Sequence, residues 1–386
     1  MATPKLRFKE FDESWSQIIL DDLAEVERGK FSVRPRNDPR YFGGKMPFVQ
    51  TGDVTGSDVY LKGFSQTLNE HGIKVSKVFP ENTILITIAA NIGDTTITQY
   101  PVACPDSVVA IQPKKELTNT IFLKNIIDLQ KDFLDSQATQ NAQKNINLQV
   151  LKPLELIVPK LEEQTKIASF LSAVDEKIAQ LTQKHELLSE YKQGMMQKLF
   201  SQQIRFKADD GSEFGEWEEK ELHQIFQIKA GGDIDRASVS EVRTLEFSYP
   251  IFANSDKNKG FYGWANKFKY KEAVTVTGRG NLGIAVARNE PFYPIVRLLV
   301  LLPLVKQNLK FFEEQINLLD IVSESTGVPQ LTAPQLSKYK VNVPSLEEQT
   351  KIANFLSSID QKIEVVAQQI EQAKQWKKGL LQQMFV

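Results

Sequence analysis

Val158-Pro-Lys-Leu-Glu-Glu-Gln-Thr-Lys-Ile-Ala-Ser-Phe-Leu-Ser-Ala-Val-Asp-Glu-Lys-Ile178 is written a second time, 185 residues later, as Val343-Pro-Ser-Leu-Glu-Glu-Gln-Thr-Lys-Ile-Ala-Asn-Phe-Leu-Ser-Ser-Ile-Asp-Gln-Lys-Ile363. The same offset pairs Lys192-Gln-Gly-Met-Met-Gln-Lys-Leu-Phe200 with Lys377-Lys-Gly-Leu-Leu-Gln-Gln-Met-Phe385. The chain therefore carries one module twice. Each copy reads as a long helix. Pro159 and Pro344 precede an acidic first turn, and Ser345 with Glu348 fits a capping box. Lys160 stands where the second copy has Ser345, so the first cap is expected to rest on Glu162 and Glu163 near the positive helix end.

Beyond the caps, apolar residues recur three and four apart: Leu171, Val174, Ile178, Leu181, Leu188, Met195 and Leu199 in copy one. Copy two gives Leu356, Ile359, Ile363, Val366, Ile370, Ala373, Leu380 and Met384. That spacing predicts a coiled-coil seam. A helix from Leu161 to Phe200 would run roughly 60 Å, long for the core of a small domain. The seam is interrupted at His185 and at the matched Lys192 and Lys377, where a third helix is expected to dock. An ordinary amphipathic helix lying on its own domain is the alternative reading.

At 386 residues the chain has room for two or three domains. Its net charge is −1, and neither half is basic: residues 1–158 hold 18 Lys and Arg against 19 Asp and Glu, and residues 206–343 hold 17 against 18. Bulk charge gives no support for nucleic-acid binding, so any such function rests on local clusters. The single cysteine, Cys104, excludes an intrachain disulfide and a Cys-rich metal site. No signal core or membrane-length apolar run is visible, and the run Ile295 to Val305 is broken by Arg297 and Pro303. A cytoplasmic location without membrane contact is the expectation.

The segments before the helices are related more loosely. Leu6-Arg-Phe-Lys9 matches Ile204-Arg-Phe-Lys207, each followed by a tryptophan, Trp15 or Trp217, and later by Gly29 or Gly231. Both then read as β-rich. Pro47 to Asp53 and Pro250 to Asp256 begin short strands and turns, while Thr83 to Ala89 and Ala273 to Thr277 run as strands into turns at Asn91-Ile-Gly93 and Asn281-Leu-Gly283. Val108 to Ile111 and Val296 to Val305 read as buried strands, and helices are predicted over Thr120 to Ser136 and Leu309 to Val322. The order is globule, long helix, globule, long helix, with boundaries at residues 1–157, 158–203, 204–342 and 343–386. Because the C-terminal Met384-Phe385 has only Leu6-Arg-Phe8 left to correspond to, the chain reads as an opened circle. A pseudo-two-fold axis would then set the helices antiparallel with one globule at each end.

Catalytic motifs are incomplete. Gly278-Arg-Gly-Asn-Leu-Gly283 fits G-x-G-x-x-G, but a second strand follows instead of the helix that a pyrophosphate needs. Asp38-Pro39-Arg40-Tyr41 resembles the Asp-Pro-Pro-Tyr loop of amino-methyltransferases except that Arg40 replaces a proline, and no cofactor loop accompanies it. Pro105-Asp106 lacks the Glu-x-Lys arm of a metal-dependent nuclease. The histidines, His71, His185 and His223, are scattered. Two clusters suit nucleic acid. Lys30, Arg34, Arg36, Arg40 and Lys45 fall within sixteen residues opposed only by Asp38. Lys257, Lys259, Lys267, Lys269 and Lys271 interleave with Phe261, Tyr262, Trp264, Phe268 and Tyr270. Polar turn residues join them as candidates: Gln50 and Asn91 in the first half, Arg236, Arg279 and Asn281 in the second. For each, a solvated loop with aromatics turned into the β core is the alternative.

The twice-written Pro-x-Leu-Glu-Glu-Gln-Thr-Lys-Ile-Ala-x-Phe-Leu with its Asp-x-Lys-Ile tail, each copy following a globule that opens with Trp, resembles the specificity subunit of type I restriction-modification enzymes. The resemblance covers essentially the whole chain. It implies an α+β fold of two target-recognition globules, each reading half of a bipartite double-stranded DNA site, with the helices as an antiparallel coiled-coil spacer. It also implies a non-catalytic chain bound by two methylation subunits and joined by restriction subunits, S-adenosylmethionine, ATP and Mg²⁺ being held by those partners. Leu161, Gln164, Ile167, Phe170 and Leu171, with Leu346, Gln349, Ile352, Phe355 and Leu356, are the candidate subunit interface. A coiled-coil scaffold whose globules bind protein, and a stand-alone methyltransferase, are the alternative functions.

Overall fold

A computed structural model describes residues 3–138, 145–321 and 329–386. The repeated stretch forms two continuous helices, Leu161–Phe200 and Leu346–Met384. The chain divides into two units, residues 1–182 with 368–386 and residues 183–367. Each unit therefore holds one globule, one half of its own following helix and one half of the other long helix.

Each helix start is gripped from its own globule. In the first unit, Arg7 Nε and Nη2 donate to Glu163 Oε1 and Oε2 at 2.8 and 2.7 Å, and Trp15 Nε1 donates to Oε1 at 3.4 Å. In the second, Arg205 and Trp217 hold Glu348 in the same way, at 3.0, 2.8 and 3.0 Å. This explains why Arg-Phe-Lys and Trp accompany the repeat: they close on a carboxylate that is 2% exposed at Glu163 and fully buried at Glu348. The expected capping box is consequently half formed. Ser345 Oγ accepts from the Glu348 N–H at 3.3 Å, but the Glu348 carboxylate turns to Arg205 and Trp217.

Gln164 and Gln349 complete the junction. Gln164 Nε2 donates to the Pro159 carbonyl at 3.0 Å while its Oε1 accepts from Thr118 Oγ1 and the Asn119 N–H. Gln349 repeats this with the Pro344 carbonyl and the Asn308 N–H, both at 3.0 Å. Asn119 and Asn308 are the N-caps of Thr120–Asp128 and Leu309–Asn317, so one glutamine ties two helix starts together.

Within each unit the helix halves run antiparallel. Lys377 Nζ lies 2.6 Å from Asp175 in the first unit, and Lys192 Nζ lies 2.7 Å from Asp360 in the second, the same pair under the 185-residue offset. The seam interruption at Lys192 is where another helix docks: Glu314, on Leu309–Asn317, accepts from Lys192 at 2.9 Å. Leu171, Val174, Leu181, Leu356, Ile359, Val366, Leu380 and Met384 are buried as the spacing predicts. Near the end of the first long helix, however, Met196 is buried with Leu199 instead of Met195. A straight helix drifts from a strict seven-residue repeat, so the inward position shifts by one residue over a few turns.

Each globule is built on a four-stranded antiparallel sheet. In the first the order is Ala24–Arg28, Val108–Pro113, Ile84–Thr87, Thr95–Ile97; in the second it is Phe226–Ala230, Leu298–Pro303, Ala273–Thr277, Ala285–Arg288. The central strands read as apolar runs because both faces are covered. Ile84, Ile86, Val109 and Ile111 join Phe122 and Ile126 of the docking helix in one cluster, whereas Leu85, Val108 and Ala110 join Val49 and, from a second sheet ordered Gln66–Leu68, Phe42–Phe48, Val102–Ala103, Val78–Phe79, Phe79 and Val102. A two-stranded ribbon, Ser16–Ile19 with Glu155–Val158 and Glu218–Glu221 with Lys340–Val343, closes each globule immediately before its long helix. The helix expected over Thr120 to Ser136 is split into Thr120–Asp128 and Lys131–Ser136. The buried stripe of the first piece ends at Ile127, Leu129 faces solvent, and Leu134 of the second piece returns to the core. Leu309–Asn317 is likewise shorter than expected, and Val322 lies outside the described residues.

Candidate nucleic-acid interface

The first basic loop leaves the sheet at Gly29, whose N–H donates to the Val108 carbonyl at 2.9 Å and where a Cβ would collide with the Pro105 and Cys104 carbonyl oxygens. All five of its cations are exposed, but they are not equivalent. Arg40 folds back onto Asp38, Nη2 to Oδ2 at 2.6 Å, and Asp38 also caps the turn Pro39–Tyr41 through the Arg40 N–H. These hydrogen bonds from Arg40 hold the Asp38 carboxyl below its ordinary range. The stretch that resembled a methyltransferase loop is thus a self-capped turn. Arg36 pairs with Asp106 at 2.8 Å, which engages the carboxylate considered for a metal-dependent nuclease. Lys30, Arg34 and Lys45 have no carboxylate partner among the described residues.

Gln50 is half-buried and occupied. It caps the short helix Thr51–Thr55 in a reciprocal box with Asp53, and its Nε2 donates to Gln66 Oε1 at 2.9 Å. Asn91 sits exposed at the tip of the turn between Ile84–Thr87 and Thr95–Ile97, its Nδ2 3.4 Å from Thr55 Oγ1. Asn281 takes the same place in the second globule and donates to Asp256 Oδ2 at 2.5 Å. The two turns are one structure. Thr87 Oγ1 donates to the Asn91 carbonyl and Thr277 Oγ1 to the Asn281 carbonyl, while Gly93 and Gly283 return their N–H groups to Thr87 and Thr277 at 2.9 Å. Ala90 has φ +63 where Gly280 has φ +74, so the first half makes the same turn without that glycine. Gly278 to Gly283 therefore joins two strands and opens no helix.

In the second globule Arg236 is exposed on the turn Arg236–Ser238, and Lys257 and Lys259 project from Lys257–Gly260. Lys267 and Lys269 are also exposed, and the Lys269 ammonium lies 5.6 Å from the Tyr270 ring centroid. The aromatics divide: Trp264 and Tyr270 are half-buried, but Tyr262 is 60% and Phe268 48% exposed beside the lysines. Arg279 is half-buried, and Asn254 fixes its backbone. Asn254 Oδ1 accepts from the Gly278 and Arg279 N–H groups at 2.6 and 3.1 Å, and its Nδ2 donates to the Arg279 carbonyl at 2.7 Å. Sequence reasoning missed Asn254. Asn254-Ser-Asp256 is visibly a turn signal, but the amides it caps are 24 and 25 residues away.

The candidate subunit interface needs correction. Gln164, Ile167, Leu171, Gln349, Ile352 and Leu356 are at most 2% exposed, closed into the chain's own cores, and offer no surface to a partner. Their periodicity reports burial under their own globules. Leu161, Phe170, Leu346 and Phe355 retain accessible surface. In the first unit Phe170 lies between Phe8, at 5.8 Å, and Trp376, at 6.1 Å, and Trp376 is 55% exposed. In the second unit Phe355 meets Phe206 at 5.5 Å, and Tyr191, the counterpart of Trp376 under the offset, is 51% exposed.

These features define a duplicated protein whose two globules each carry an exposed basic loop and an asparagine-tipped turn. The chain belongs to the family described as the type I restriction modification DNA specificity domain, whose model matches residues 12–190 and 215–375. It is a specificity subunit, a non-catalytic component of type I restriction-modification complexes that recognises DNA targets, and the match does not favour a protein-binding scaffold or a stand-alone methyltransferase. A Mycoplasma pneumoniae protein bearing a type I specificity-subunit name is 29% identical over 215 residues, covering 55% of this chain and 57% of that protein. The specificity subunit of the type I restriction enzyme MjaVIII from Methanocaldococcus jannaschii is 24% identical, over 96% of this chain and 91% of its own. The crystal structure of the S subunit of a type I system from M. genitalium has the same fold, with a TM-score of 0.66, 20% identity, and 100% of this chain and 99% of that one covered. Among the described residues no helix is long and apolar enough to cross a membrane.

Proposed function

We propose that each globule reads one half of a bipartite double-stranded DNA target and that the two long helices set the unread distance between the halves. The observation that carries this is the duplication itself. Each unit contains the same gripped helix start, the same turn and an exposed basic loop, and both helices run without interruption from one unit into the other. Lys30, Arg34 and Lys45 on one head, and Lys257, Lys259, Lys267 and Lys269 on the other, supply phosphate contacts, while Asn91, Arg236, Arg279 and Asn281 lie on turns from which base edges can be read. Two methylation subunits dock on the repeated aromatic patches, Phe8, Phe170 and Trp376 in one unit and Phe206, Phe355 and Tyr191 in the other, with Leu161 and Leu346 at their margins. Restriction subunits join that complex in the cytoplasm, and S-adenosylmethionine, ATP and Mg²⁺ bind the partner subunits.

The test lengthens both helices at the unit boundary, inserting four residues after Thr182 and four after Ala367. Each insertion adds about 6 Å and about one turn, so the seam stays nearly in phase. In complex with the methylation subunits, the variant should methylate targets whose spacer is longer by one or two base pairs at about 3.4 Å each, with both half-sequences unchanged. Methylation of the original spacing and no longer one would refute the spacer function.

A further inference from the structure

The two copies differ beneath the basic loop of the second globule. Aligning Thr87 with Thr277 sets Leu85 against Thr275 and Thr98 against Arg288. In the first globule Leu85 packs in an apolar cluster with Val49, Phe79 and Val102, and Thr98 Oγ1 donates to the Pro80 carbonyl at 3.1 Å. In the second, a guanidinium fills this region. Arg288 is 8% exposed; its Nε donates to Thr275 Oγ1 at 3.1 Å, its Nη2 donates to the Lys259 carbonyl at 2.5 Å, and its Cζ lies 3.5 Å from the Phe252 ring centroid.

A buried cation is costly unless its donors are satisfied. Glu313, the nearby carboxylate, is itself engaged by the Ala287 N–H at 2.8 Å. Burial lowers the Arg288 guanidinium to about 10, which leaves it charged at neutral pH. What it holds is a strained segment. Asn258 and Lys259 are consecutive left-handed residues, φ +47 and +51, a conformation that asparagine tolerates and that a lysine rarely adopts. The same segment is joined to the neighbouring turn by Asp256 with Asn281 and by Asn254 with Gly278 and Arg279.

We propose that Arg288 is a positioning residue for target recognition: from beneath, it fixes Lys257–Gly260 against the Gly278–Gly283 turn, so that Lys257, Lys259, Arg279 and Asn281 meet DNA as one preset surface. This rests on the reading of the second globule as a DNA-recognition head. It extends that reading to a residue that touches no DNA itself. Arg288→Lys is the informative change, because lysine keeps the charge but cannot bond Thr275 and the Lys259 carbonyl through one planar fork.

The full chain, assembled with its methylation subunits, is assayed on a randomised duplex library with methylated sites read by sequencing. Affinity for the selected target is measured against salt, and a melting curve accompanies each variant. Arg288→Lys should weaken binding about tenfold, near the loss for one mismatched base pair, and relax sequence choice in one half-target only. Its salt slope should match the parent, since no phosphate contact is removed, and any fall in melting temperature should leave the variant fully folded at the assay temperature. Lys257→Ala/Lys259→Ala should flatten the salt slope. Equal relaxation of both half-targets, or loss that tracks a lowered melting temperature, would make Arg288 merely structural and overturn the proposal. Unchanged recognition by Arg288→Lys alongside an altered lysine variant would overturn positioning while leaving DNA recognition by this loop intact. An unaltered lysine variant would show that the loop does not face DNA, and both readings of it would fall.

Discussion

Replacing Arg7 with methionine should loosen the first unit and leave the second as it was. The Glu163 side chain is 3% exposed and receives two hydrogen bonds from Arg7 and one, at 3.4 Å, from Trp15. Removing one partner of a buried ion pair typically costs about 3 to 5 kcal/mol, because the remaining charge stays desolvated. Here the positive end of the Leu161–Phe200 helix returns up to about 1 kcal/mol to the stranded carboxylate, so about 3 kcal/mol is expected. Arg7→Met/Glu163→Met removes both charges and should be less damaging than Arg7→Met alone, giving a coupling of more than about 1 kcal/mol in a double-mutant cycle. Hydrogen exchange read by mass spectrometry separates the units, and peptides from residues 183–367 act as an internal control. Faster exchange should appear in residues 3–182 and 368–386. Additive single mutants, or an Arg7→Met loss under about 1 kcal/mol, would show that the clamp behaves as a surface pair and that the Arg and Trp of the repeat have another purpose.

Cys104 is fully buried, and burial pushes its thiol up to about 12 from an ordinary value of 9.0. It should resist a thiol reagent in the native protein, and its contribution to stability, complete below pH 9, should be lost as pH rises through about 12; urea melts across that window check the sign. Changing Lys30, Arg34 and Lys45 to Ala should weaken DNA binding and flatten its salt dependence by up to about three phosphate contacts, whereas changing Arg36 and Arg40, held by Asp106 and Asp38, should alter it less; equal slopes for both sets would discard this distinction. Exchanging residues 1–157 for the corresponding globule of a relative should change one half of the target, and a change in both halves would refute independent recognition.

The long helices, the central strands and the two turns were legible because local periodicity and turn chemistry determine them. What the helices pack against was not. Gln164, Ile167 and Leu171 show the stripe of a partner surface, yet their own globule covers them, and a stripe records burial without recording by what. The Arg7, Trp15 and Glu163 clamp was present in the quoted motifs, but its members are separated by 148 and 156 residues and no local rule joins them. The basic loops were legible as clusters only. Which cations are already paired depended on Asp106, which is brought to Arg36 across 70 residues by the sheet.

A duplicated chain also supplies its own comparison. Glu163 and Glu348 under arginine and tryptophan, Gln164 and Gln349 under the docking helix, and Asp175 and Asp360 against lysine perform the same contact in both copies and belong to the long helices, and the backbone turns at Thr87 and Thr277 repeat as well. Residues that differ, Leu85 against Thr275 and Thr98 against Arg288, lie in the sheets that carry the loops. The same helix frame therefore supports two differently filled globules. That division is physically consistent with a protein whose two heads share one assembly geometry and read different sequences, because a change in the sheet's outer packing can re-aim a loop without disturbing the buried carboxylate that fixes the helix.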